Sequence, residues 1–204
     1  MRLLVGLGNP GSRYAASRHN VGFMALDAIA RRYSFSGERS RFNSLVCDGH
    51  IAGEKIVAIK PQTFMNLSGD AVLPALQFYK VAPGDIIVLH DEIDLPLGRV
   101  RTKRGGGAAG HNGLRSIDDT IGVDYWRVRI GVGHPGERGS VRGHVLQDFS
   151  GDEAEEVARM IDAIAEAFPL MAEGDADRFR SRVDVILNPP PPKPPKPEDT
   201  TGTD

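Results

Sequence analysis

The sequence predicts an α/β fold, a single-domain three-layer sandwich whose twisted, mixed and largely parallel β-sheet is flanked by helices. Three observations carry this. Short apolar runs alternate along the chain with segments of helical period. The strongest run, Ile86 to Leu89, is apolar at every position, as a strand is when helices cover both faces of its sheet. The chain has 204 residues, 40% of them hydrophobic and 25% charged, which suits one core and a tail better than two domains.

Taken in order, Leu3 to Val5 is an apolar run ending at Gly6, long enough for a buried strand and too short for a helix. Phe23, Leu26, Ile29, Ala30 and Tyr33 recur at helical spacing, with Asn20 as the expected cap. A strand-like segment containing Cys47 ends near Asp48, and Ile56 to Ile59 gives another strand. Val72, Ala75, Leu76 and Tyr79 mark a helix beginning after Ser68, with Pro74 inside the pattern to kink it or shift its start. Beyond Ile86–Leu89, the segments Arg99 to Lys103 and Arg127 to Val132 alternate charge with Val and Ile, so each is expected to have one wet face. Ala154, Val157, Ala158, Ile161, Ile164, Ala165 and Phe168 form an apolar helical stripe. After Leu187 the composition turns to proline and lysine. Residues 188–204 are therefore expected to form an extended, disordered tail on a domain of residues 1–187.

Several classes are excluded early. No apolar run approaches the ~20 residues that span a bilayer, and the start lacks the h-region of a secretory signal. A single cysteine, Cys47, permits neither an internal disulfide nor a Cys-rich zinc site, and it reads as a small core residue. A cytoplasmic protein is expected. The net charge of −2 hides an uneven distribution. Leu95 to Arg115 holds five basic residues (Arg99, Arg101, Lys103, Arg104, Arg115) and no acid, and residues 1–20 add Arg2, Arg13 and Arg18. Asp152 to Asp177 holds nine acids against Arg159. A basic face suits a nucleic-acid partner, although local charge bias is also ordinary solvated surface.

The chemistry-bearing residues narrow the field further. Both GLGNPG (Gly6–Gly11) and GGGAAG (Gly105–Gly110) match G-x-G-x-x-G, which shows how little that pattern means alone. The first lacks the ribose-binding acid at the end of a second strand, because Asp27 falls in the helical segment. No P-loop, H-E-x-x-H or G-x-S-x-G occurs. Of six histidines, His19 precedes Asn20 just past one glycine turn, and His111 precedes Asn112 just past the other. Asp91 follows the apolar strand, where α/β sheets bind ligands. A carboxylate beside an imidazole makes a general base. Without a serine or cysteine nucleophile, such a pair points to water as the attacking group. Turn capping by Asp91, or a metal held by His90, Asp91, Glu92 and Asp94, are the alternatives, the latter opposed by the alternation of side chains along a strand.

Five ordered blocks then carry a resemblance to bacterial-type peptidyl-tRNA hydrolases. They are GLGNPG running on to Arg18-His19-Asn20, KPQTFMNLSG ending at Gly69, HDEIDLPLG from His90, GGGAAGHNGLRSI from Gly105, and RVRIGVGHPG from Arg127. The resemblance implies His19 as the base that activates water against the ester joining peptide to the tRNA 3′ ribose, with Asp91 orienting it. It implies Asn9 as the residue that separates N-blocked substrates from free aminoacyl-tRNA. Asn66 and Asn112 would be substrate-binding amides, Tyr14 and Phe64 neighbours of the 3′ CCA end, and Met65 and His111 supporting residues. No metal and no cofactor is implied, and the partner is peptidyl-tRNA. Lys103 and Arg104, in the basic stretch, are expected to meet acceptor-stem phosphates. Ala108 and Ala109 depart from the polar residues frequent there. The segment 133–147 reads equally as a mobile lid or a fixed surface loop, and a monomer is expected. A non-catalytic RNA-binding protein of the same fold, as in chloroplast splicing relatives, is the runner-up, and a metal-dependent hydrolase the third reading.

Overall fold

Runs of Leu, Val and Ile form the middle of the sheet because each buries both of its faces. The structure, a computed structural model, describes residues 1–136 and 139–190. Its strands are β1 (Arg2–Gly6), β2 (Arg39–Arg41), β3 (Ser44–Ile51), β4 (Glu54–Pro61), β5 (Ile86–Glu92), β6 (Val100–Arg104) and β7 (Trp126–Gly131). Its helices are α1 (Val21–Arg32), α2 (Ser68–Tyr79), α3 (Asn112–Ile121), α4 (Val141–Leu146), α5 (Gly151–Glu173) and α6 (Ala176–Leu187). One mixed sheet runs in the order β2-β3-β4-β1-β5-β7-β6. The central strands β4, β1, β5 and β7 are parallel, while β2, β3 and β6 add antiparallel pairings at the two flanks. The parallel character is thus confined to the centre, where helices shield both faces.

Alternate residues of each strand feed two cores. Leu4, Ala58, Ile87 and Leu89 pack with α1, α5 and α6 on one face. Leu3, Val5, Val57, Ile59 and Val88 pack with α2 and α3 on the other. Each such buried aliphatic side chain contributes about 1.5–3 kcal/mol relative to exposure. Three layers result, as the alternation of elements predicts. Among the described residues no helix is long and apolar enough to cross a membrane.

Three readings are corrected. Arg127 to Val132 has no wet face at its start: Arg127 is only 2% exposed, because the glycine-rich loop before α3 folds over it. Asp91 does not follow its strand but lies inside β5, whose pairing with β7 continues through Asp91 and Glu92. Asn20 occupies the N-cap position of α1 without bonding its amides, since its side chain is engaged elsewhere. Pro74 does sit within α2. Cys47 is buried, and burial first, with nearby carboxylates, pushes its thiol up to about 11, so it stays protonated. Of the tail, residues 191–204 lie outside the described residues.

One close approach sets the geometry of the site. A Cβ on Gly22 would collide with the carbonyl of Leu89 and lie 2.6 Å from the Leu7 amide nitrogen. Only glycine there lets the first turn of α1 press onto the ends of β1 and β5. The residues just before it, Arg18–Asn20, form a 3₁₀ turn at that junction.

Candidate active site

The carboxyl ends of the parallel strands open into a cavity of about 940 Å³, the place where α/β sheets bind ligands. Asn9, in the loop after β1, and the segment Phe64–Asn66, after β4, line it, as do Asp91 at the end of β5 and Arg129 of β7. Tyr14, His19, Lys103, His111 and Asn112 are among the other lining residues. Val141, Arg142, Val145 and Leu146 of α4 also line the cavity.

Asp91 is the hub. Its Oδ1 lies 2.8 Å from His19 Nδ1 and 2.8 Å from His111 Nε2. His111 also caps α3: its Nδ1 accepts from the amides of Gly113 and Leu114. That nitrogen therefore holds a lone pair, the proton sits on Nε2, and His111 donates to Asp91. Burial opposes charge on Asp91, but the His111 and His19 rings beside it hold its carboxyl well below the usual carboxylate range. An ionised Asp91 accepts a hydrogen bond from His19 Nδ1–H, the tautomer that leaves a lone pair on Nε2.

These three residues also have the ligand types of a metal site, with one atom from each within 4.8 Å of the others. The hydrogen bonds oppose that use. A metal on His111 Nε2 would move the ring proton to Nδ1, against the two helix amides that now donate to it. The donor chemistry fits a hydrogen-bonded carboxylate better than a coordinated cation.

Asn9 is fixed from three sides. Its amide nitrogen donates to Asn20 Oδ1 at 2.9 Å, and Asn20 Nδ2 donates back to the Asn9 carbonyl at 2.9 Å. The Met65 amide donates to Asn9 Oδ1 at 2.9 Å, so the Asn9 Nδ2 protons remain for a ligand. Asn20 sits where sequence reasoning put it, but its side chain binds the Asn9 backbone instead of capping the helix. Asn66 and Asn112 are exposed at the cavity, and Phe64 presents its ring there at 60% exposure.

The basic stretch separates on folding. Lys103 lines the cavity, as does Arg129, which is paired to Glu92 at 2.9 Å. Arg104 does not. It forms a two-pronged pair with Asp124 and lies beside Trp126, which in turn neighbours Ile87, roughly 13 Å along the strand from Asp91. Arg101 is paired with Asp184. Alternation along a β-strand had no way to reveal these partners, which come from distant segments.

Two further residues take structural roles that sequence reasoning did not assign them. Arg127 donates to the carbonyls of Gly106 and Gly107 at 2.7 and 2.8 Å and pairs with Asp118 at 2.9 Å. It thereby pins the loop that delivers His111. His90, buried in the cavity floor, donates Nδ1–H to the Asp91 carbonyl at 2.7 Å. Burial, together with the neighbouring His111 ring, pushes it down to about 3, so it is neutral. Of the segment 133–147, α4 is tied down by His144, whose Nε2 donates to the carbonyls of Gly133 and Val132. Residues 137–138 lie outside the described residues.

Comparison with known proteins places this geometry. The family model described as peptidyl-tRNA hydrolase matches residues 3–189. A curated peptidyl-tRNA hydrolase of Parvibaculum lavamentivorans is 54% identical over 203 residues, covering 99% of each chain. That of Rhodospirillum centenum is 54% identical over 190 residues, 93% of this chain and 84% of the relative. The crystal structure of peptidyl-tRNA hydrolase from Acinetobacter baumannii superposes with a TM-score of 0.85 at 39% identity, covering 90% of this chain and 94% of that one. With the match running across both cores and through every segment that lines the cavity, the chain belongs to the peptidyl-tRNA hydrolase family.

Proposed function

We propose that this cavity carries out the family's reaction, hydrolysis of peptidyl-tRNA, with His19 as general base, Asp91 as its orienting carboxylate and water as the nucleophile. The single observation that carries the residue roles is the 2.8 Å contact of His19 Nδ1 with buried Asp91. Water gives a proton to His19 Nε2 while its oxygen adds to the ester carbonyl carbon. The tetrahedral species then breaks its bond to the ribose oxygen, which takes the proton back from the imidazolium. Asp91 stabilises that imidazolium while it exists. General-base assistance of this kind contributes about 10²–10⁴-fold.

The free Asn9 Nδ2 donates to a carbonyl of the acyl chain, an acceptor that N-blocked substrates have and free aminoacyl-tRNA lacks. Asn66 and Asn112 supply neutral donors to the substrate and its developing oxyanion. Tyr14 and Phe64 offer faces for stacking the terminal bases, at about 1–3 kcal/mol per base. Met65 holds Asn9 through its amide, and His111 holds Asp91. Lys103 meets phosphate. Arg104, paired with Asp124, is left with at most a remote contribution to RNA binding. This reaction uses no metal, and the enzyme works as a monomer in the cytoplasm.

The test compares release of acyl groups from N-acetyl-aminoacyl-tRNA and from free aminoacyl-tRNA, with and without chelator. Release from the blocked ester alone, unchanged by chelator, is the expected result. Binding of tRNA with no release from either ester would replace this reading with the RNA-binding one.

A further inference from the structure

Arg18, next to the proposed base, takes no part in the proposed reaction, yet among the described residues its side chain is one of the most heavily bonded. It is 6% exposed. One terminal nitrogen lies 2.6 Å from Glu153 Oε2. The other donates to the carbonyls of Asp148 at 2.7 Å and Gln147 at 3.2 Å, immediately after α4. Its own amide donates to the Gln147 carbonyl at 3.0 Å, and Ser17 bridges to Asp148. The guanidinium lies 5.1 Å from the centre of the Phe149 ring.

Glu153 is itself fixed. The same Oε2 accepts from the Ser150 amide at 2.8 Å, closing a capping box at the start of α5. The Ser150 bonds, with Arg18 adding to them, hold its carboxyl below the usual range. One buried cation therefore joins three things: the turn that carries His19, the end of the helix that walls the cavity, and the first turn of the long helix behind it. Guanidinium suits this because its planar fork serves several acceptors at once, which an ammonium does not.

We propose that Arg18, held in place by its pair with Glu153 and bonded to the Gln147 and Asp148 carbonyls, is a positioning residue that keeps α4 against the His19 turn, so that the base and this wall of the cavity are set as one body. This rests on His19 as the base. The wall contributes Val141, Arg142, Val145 and Leu146 to the cavity. If it separates from the His19 turn, water and ester lose the alignment that general-base attack requires, and misplacement on the ångström scale costs up to about 10²-fold.

Two variants test this. In E153Q the amide oxygen of the replacement keeps the capping box while the charge is lost. In R18K the charge stays while the fork to Gln147 and Asp148 is lost. Each is measured for kcat and KM on N-acetyl-aminoacyl-tRNA, and for amide exchange in α4 without substrate. The expected result is a fall in kcat of about tenfold or more, KM within about threefold, and exchange at Val141–Gln147 at least about tenfold faster. The double variant is expected to be no worse than the worse single one, because Glu153 acts only by holding the Arg18 guanidinium on the Gln147 and Asp148 carbonyls. Unchanged kcat in E153Q overturns the proposal. So does a fall in kcat with α4 exchange unchanged, or multiplicative losses in the double variant. His19→Ala in the same assay separates the two readings: full turnover there would remove the base assignment, while α4 exchange would still report on the Arg18 contact.

Discussion

At the scale of single residues, the site is a set of side chains whose protons are already allocated. Asp91 receives two imidazole N–H groups, His111 is locked by helix amides, and His19, whose Nδ1 is taken by Asp91, is left with Nε2 as its acceptor at the cavity. His19→Ala is expected to lower kcat by about 10²–10⁴-fold with tRNA affinity within threefold of wild type, read by single-turnover release beside a filter-binding curve. Loss of affinity in proportion would make His19 structural instead. A second expectation concerns Asn20, which binds the Asn9 peptide at both its N–H and its carbonyl. In Asn20→Ala the Asn9 amide should swing free, and the preference for N-blocked over free aminoacyl esters should shrink by about tenfold, the worth of roughly 1.4 kcal/mol. An unchanged ratio would detach Asn20 from substrate choice. That His19 and Asp91 bear on a site was legible in the chain, because each stands beside a glycine-rich turn or an apolar strand, whereas Asn9 came only from the family resemblance; the structure places all three at the cavity. The function of Asn20 was not legible, since its partner is eleven residues away and an asparagine before a helix has a simpler local explanation.

At the scale of elements, the strands and helices were legible where burial imposes a period. The apolar runs became β1, β4 and β5, and the helical stripes became α1, α2 and α5. The three-residue edge strand β2 was not, because all of its residues are exposed and it has no apolar alternation to read. The basic strand β6 was read correctly as a strand and too simply as a surface. Its arginines are met by Asp184 and Asp124, while Lys103 turns to the cavity. Lys103→Ala is therefore expected to reduce the slope of log affinity for tRNA against log salt by about 1, and Arg104→Ala to leave it unchanged. Equal effects of the two substitutions would show that the ion pair with Asp124 does not withdraw Arg104 from RNA. Gly22 governs how closely α1 approaches the strands. In Gly22→Ala a methyl group must be forced against Leu89 and Leu7, and a stability loss of about 3 kcal/mol or more is expected from such overpacking. Urea unfolding gives the number, and a loss below about 1 kcal/mol would mean that the helix shifts freely.

At the scale of the whole molecule, the buried His90 couples folding to pH. Its pKa is about 3 when folded, against 6.5 for the ordinary side chain. As pH falls below about 6.5, the unfolded chain binds a proton that the folded chain refuses, so stability declines by up to about 1.4 kcal/mol per pH unit from this group. Asp91 has the same sign in a lower window: depressed in the fold, it adds stability above its ordinary value of 3.8 and loses it only in stronger acid. Urea midpoints between pH 7 and 4.5 should therefore fall less steeply in His90→Asn than in wild type, and parallel curves would remove His90 as the cause. The sequence by itself determined the layers, the central strands, the two glycine-rich turns and the family resemblance, because periodic burial and contiguous motifs are local properties of a chain. Only the tertiary structure decided which charges meet. Asp91 reaches His19 across 72 residues, Arg18 reaches Glu153 across 135, and Arg127 is buried under a loop some 20 residues before it. Hydrogen bonds and ion pairs act over a few ångströms in space, and neither periodicity nor composition records which distant segments the packing of α1, α4 and α5 brings within that range.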